Sequence, residues 1–151
     1  EGTTFFLTAN SGVDGDGGRG NVTSQLDTSI VNRCVGVFAP APSAKFEREM
    51  ISKAYPSLAK DEVALLVKAL RAVRQCVIDS NIALEISLRT ANQVAKKAIR
   101  HKGRGLSWEK ALRKGFGVVR GFMHEADNRA LIEGALDPII GSEAITKGTA
   151  L

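Results

Sequence analysis

Cysteine is nearly missing from this sequence, and the two present, Cys34 and Cys76, stand alone without C-x-x-C spacing. That excludes a disulfide scaffold and a cysteine zinc site, and it favours two reduced, small apolar side chains in a reducing, cytoplasmic setting. No apolar run approaches the ~20 residues of a membrane-spanning helix. Aromatic residues make up only 5% of the chain, with one Trp and one Tyr, which leaves little for stacking on single-stranded nucleic acid. The two histidines, His101 and His124, lie 23 residues apart with no acid or cysteine at ligand spacing, so they read as surface or cap residues.

What is present suits one globular domain: 151 residues, 44% hydrophobic, 25% charged, with a mean hydropathy of -0.04. Residues 3–9 (TTFFLTA) are β-branched and aromatic and predict a strand covered on both faces. The apolar run stops at Asn10. Residues 11–24 hold five glycines with Asp14 and Asp16 and predict an exposed loop. The aspartates lack the remaining ligand positions of a calcium loop. Asp27 to Ser29 can cap a short helix through Asn32, and CVGVF at 34–38 predicts a second buried strand ended by Pro40 and Pro42. A chain that opens at Glu1 straight into a strand, with two strands in all, is expected to be a piece of a longer protein or to need a partner.

After Pro42 the pattern turns helical. Ser43 caps a segment to about Ala54, closed by Tyr55-Pro56. From Leu58 to Ile78, Val63, Leu66, Val67, Leu70, Val73, Cys76 and Val77 recur at three- and four-residue spacing and predict one long amphipathic helix. Ser87 opens a third, broken by Gly103 and Gly105; Ser107 caps a fourth, with Trp108 as a packing anchor; a fifth covers roughly 127–136. The tail from Gly141 has no apolar period.

An asparagine at the carboxyl end of a strand occupies the ligand-contacting edge of an open α/β sheet, and its amide can hold a water against a phosphate oxygen. Arg33, 23 residues on, carries the group suited to charge developing on a transferring phosphoryl. The succession "FFLTANSG", a glycine-rich loop, "QLDTSIVNRCVGVFAP", "EREMI" and "EISLRTANQVAKKAI" resembles, over residues 3–136, the second half of an AAA+ ATPase, in the branch of MoxR-type proteins and the small ATPase subunit of cobaltochelatase.

The resemblance implies a mixed α/β but mainly α chain. Residues 1–42 would be the last strands of a P-loop-type α/β core, 43–140 a helical lid bundle and 141–151 a tail. It implies Asn10 as the sensor 1 residue, Arg33 as the arginine finger reaching a neighbouring subunit's nucleotide, and Arg89 as the sensor 2 residue touching phosphate from the lid. ATP and Mg2+ would serve the intact parent in a homo-oligomeric, hexameric ring that remodels a protein partner or does chelatase-type work. Asn32 and Cys34 depart from the Asp and aromatic that commonly flank the finger. Within these residues there is neither a G-x-x-x-x-G-K-[ST] loop nor an acidic strand end for magnesium, so the chain alone is expected to be inactive.

Two other readings come from the charge and the sheet edge. From Arg89 to Arg120, ten Lys or Arg face one acid, Glu109, a balance of +9 that leaves -4 for the rest of a chain totalling +5. Such a stretch is either a solvated lid face or a basic helical nucleic-acid-binding module, although no groove-reading motif accompanies it. The third reading is a structural interaction domain indifferent to nucleotide, its strand edges completed by a partner.

Overall fold

The computed structural model describes residues 42–82, 84–121, 123 and 125–141. The chain divides into two units between Ala41 and Pro42, and all the described residues belong to the second. The expected core strands, with Asn10, Asp14, Asp16, Arg33 and Cys34, lie outside the described residues.

The chain enters its first helix at Ser43, whose extended backbone and Oγ, accepting from the amide of Phe46 at 3.2 Å, start α1 (Ala44–Ala54). Tyr55 ends it, as the following proline requires. Next, α2 (Lys60–Asp79) begins with half of a capping box: Ala59 has no side chain to cap with, but Glu62 Oε2 accepts from its amide at 3.0 Å. A Schellman turn ends α2, with Asn81 left-handed at φ 49° and the Asn81 and Ile82 amides returning to the carbonyls of Ile78 and Val77 at 3.1 and 2.9 Å.

Ser87 and Ser107 cap α3 (Leu88–Lys102) and α4 (Trp108–Gly115) in the same way as Ser43. Between them Gly105, at φ 88°, supplies a backbone angle that side chains resist, and the chain reverses. A five-residue α5 (Gly117–Gly121) and α6 (Ala126–Ile140) complete the described bundle. The mainly helical expectation therefore holds, and no strand occurs among the described residues. The sequence pattern missed α5, and α6 runs past the expected residue 136 to Ile140 through Pro138, which has no amide to bond back to the Gly134 carbonyl.

One core joins these helices. The α2 stripe supplies Val63, Leu66, Val67, Leu70, Val73 and Val77, all buried, and α2 packs against both α1 and α6. The most extensive interface is α3 on α4. Ala91, Val94, Ala95 and Ala98 of α3 are buried, as are Ala111, Leu112 and Gly115 of α4 and Phe116 at its end. A β-carbon at Gly115 would stand 2.8 Å from the Val94 carbonyl oxygen and 3.2 Å from the Ala98 β-carbon, so glycine there sets how closely the two helices meet.

Candidate functional site

Arg89 is the one sequence-predicted site residue within the described region. It is the second residue of α3, exposed, two positions beyond the Ser87 cap whose Oγ accepts from the Thr90 amide at 3.4 Å. The first turn holds no acid, and Arg89 has no carboxylate partner among the described residues. A helix amino terminus with its unpaired amides and a guanidinium on the same turn attracts an anion. The backbone before it is held from α2: Arg74 Nε donates to the Ile86 carbonyl at 3.0 Å.

Two charge networks that the sequence reading did not find lie inside the bundle. Glu47 of α1 is only 1% exposed and receives Arg74 at 2.7 Å and Arg71 at 3.4 Å, both from α2. Arg74 thus serves α1, α2 and the approach to α3 together. The opposite arrangement holds Arg113 of α4, 5% exposed, against Glu133, Asp137 (2.6 Å) and the Gly141 carbonyl at the end of α6. Arg120 reaches the other oxygen of Glu133 and donates to the Arg113 carbonyl at 3.3 Å.

Within residues 89–120 these contacts take several of the cations out of the exposed basic charge. Arg113 is interior and Arg120 is paired with Glu133; Lys102 meets Glu62 at 2.5 Å and lies 5.9 Å from the Trp108 ring centre. Arg113 escaped notice because its acids are 20 and 24 residues away; the signal was Glu133 and Asp137 at i and i+4 on one face of a helix. Trp108 is the anchor its position suggested, buried, with its indole N–H given to the Glu62 carbonyl at 3.1 Å.

Partial burial would raise the Glu62 carboxyl pKa, but Lys102 and the Ala59 amide outweigh it and hold the group below its ordinary value. His101 is pushed below the usual imidazole range, first by desolvation and then by the charges of Arg104, Lys114, Lys97 and Arg100. Burial raises the Tyr55 phenol, whose hydroxyl donates to Asn92 of α3. Cys76 is a free, half-buried thiol directed at the Leu131 carbonyl at 3.5 Å. Among the described residues no group of three or more His, Cys, Asp or Glu could hold a metal ion, and no helix is long and apolar enough to cross a membrane.

No protein-family model, curated protein or solved structure matches this chain.

Proposed function

We propose that these residues form the end of an AAA+ ATPase core and its helical lid. The order of the motifs supports this reading, and so does a helical bundle beginning at Ser43. The observation that carries it is Arg89: a guanidinium exposed on the serine-capped, acid-free first turn of α3. That turn fits a phosphate oxygen. The described residues do not fit Mg2+, for which they offer no acid cluster, and the chain has no phosphate-loop lysine. The work of ATP binding and hydrolysis accordingly belongs to an intact parent ring, with Asn10 placing the attacking water and Arg33 acting on a neighbouring subunit's nucleotide.

The test is nucleotide binding and turnover by the whole gene product. Trans arginine fingers contribute on the order of 10³–10⁵ in rate. Arg33→Ala should abolish turnover with nucleotide binding kept, and Arg89→Ala should weaken binding of a fluorescent ATP analogue. A product that binds no nucleotide, or whose turnover survives both substitutions, overturns the reading in favour of a structural interaction domain.

A further inference from the structure

Removing Lys102, Arg113 and Arg120 from the basic stretch leaves a smaller and more concentrated charge. Lys97 and His101 are four residues apart and share a face of α3. Arg100 is in the same final turn, and Arg104 follows in the Gly103–Gly105 reversal. Lys114 joins them from α4 because its neighbour Gly115 sits directly on Val94 and Ala98 of α3. The Lys97 ammonium also lies over the start of α5, 3.2 Å from where a β-carbon on Gly117 would stand. None of these four cations has a carboxylate partner among the described residues, and α3 itself contains no acid. Like charges gathered without counter-charge repel one another, and a polyanion relieves that repulsion while releasing its own counterions.

We propose that the face formed by α3, the Gly103–Gly105 turn and α4 around His101 binds the phosphodiester backbone of a nucleic-acid duplex. This surface stands apart from the Arg89 turn and does not depend on the ATPase reading. Lys97 to Lys102, the helical part of this face, rises roughly 7.5 Å at ~1.5 Å per residue, with Arg104 beyond it in the turn, against one duplex charge per ~1.7 Å of axis. Single strands are disfavoured because the neighbouring rings are occupied: Trp108 and Phe116 are buried, so among the described residues no platform for a base is offered beside the cations. A lipid surface is disfavoured because the large exposed apolar side chains among the described residues, Phe46, Met50, Ile78 and Leu131, belong to α1, α2 and α6, leaving none of them as an apolar wedge beside the cations. His101 lies among these cations; desolvation first, and then the charges of Arg104, Lys114, Lys97 and Arg100 from α3, the turn and α4, hold it below the usual imidazole range, so it responds to whatever neutralises them.

The experiment is fluorescence anisotropy of a labelled 20-base-pair mixed-sequence duplex with the full chain. Parallel titrations use the corresponding single strand, phosphatidylglycerol vesicles and polyglutamate. Four phosphate contacts predict a log–log salt slope of about -3.5, so that binding weakens roughly 100-fold between 50 and 200 mM salt. The quadruple variant K97Q/R100Q/R104Q/K114Q should lose most of that slope; the control K45Q/K53Q/K68Q, changed on α1 and α2, should keep it. Saturating duplex should also raise the His101 titration midpoint by NMR, assigned with H101Q. Lys114→Glu, exposed on α4, is the companion substitution and should weaken binding at least tenfold should the quadruple variant not fold. Absence of duplex binding, an unchanged slope in the variants, a His101 midpoint unmoved by duplex, or tighter binding to single strand, vesicles or polyglutamate overturns the proposal.

Discussion

Two ends of the bundle solve the same problem with opposite signs. At α1 and α2 a buried carboxylate, Glu47, is served by two guanidinia; at α4 and α6 a buried guanidinium, Arg113, is served by two carboxylates and a carbonyl. They differ in how much water their partners keep. Asp137 and Glu133 are 44% and 28% exposed and can rehydrate, whereas Arg74, the closer partner of Glu47, is 18% exposed. Burying a charge is tolerable only with its partners in place, so the cost of a deletion depends on which group is left behind.

Breaking the tighter end should therefore have the largest effect. Arg74→Met strands Glu47 with Arg71 alone at 3.4 Å and removes the hydrogen bond to Ile86; the loss should be about 3 kcal/mol by denaturant unfolding. Arg71→Met, at a side chain 48% exposed, should cost under about 1 kcal/mol. Equal losses would show that the two arginines share the carboxylate evenly. At the other end, Arg113→Met should cost about 2 kcal/mol, since its acids can turn to solvent. A larger loss there than for Arg74→Met would invert the comparison.

The interface of α3 with α4 is set by close packing. Gly115→Ala places a methyl 2.8 Å from the Val94 carbonyl, which backbone cannot yield cheaply, and should cost about 1–3 kcal/mol. Gly134→Ala in α6, where a β-carbon meets nothing within 4 Å, should instead gain about 0.5–1 kcal/mol. Thermal melts of the two variants, moving in opposite directions, check the pair.

The smallest expected effect is the pH response of Glu62. Its pKa is lower in the folded chain than in the unfolded one, so the unfolded state takes up the proton first as pH falls. Its contribution is complete above the ordinary carboxylate range and is lost as pH drops through the folded value. The stability gap between the wild type and Glu62→Gln, within about 1 kcal/mol at neutral pH, should close between pH 6 and pH 3. A gap constant over that window would remove Lys102 as its cause.

The helices and their caps were legible because their signals are local: Ser43, Ser87 and Ser107 each precede an apolar period and each accepts the expected amide. The place of Arg89 followed from Ser87 alone. The buried charges were not legible, because nothing local marks the first glutamate of "EREM" or the arginine of "ALRKG" as interior and their partners lie 20 or more residues away. Only the folded arrangement tells Arg113, which is structural, from Lys114 beside it, which is exposed. Short α5 lay between two glycines with no cap to announce it.

The chain's one tryptophan belongs to that folded arrangement. Trp108 sits on α4 with its N–H bound to α2 and the ammonium of Lys102, from α3, near its ring, so three helices meet at a single fluorophore. Its emission should be blue-shifted in the native chain and move red when α4 parts from α2. The bundle thus contains its own optical gauge, and the unfolding of every variant above can be followed without an added dye.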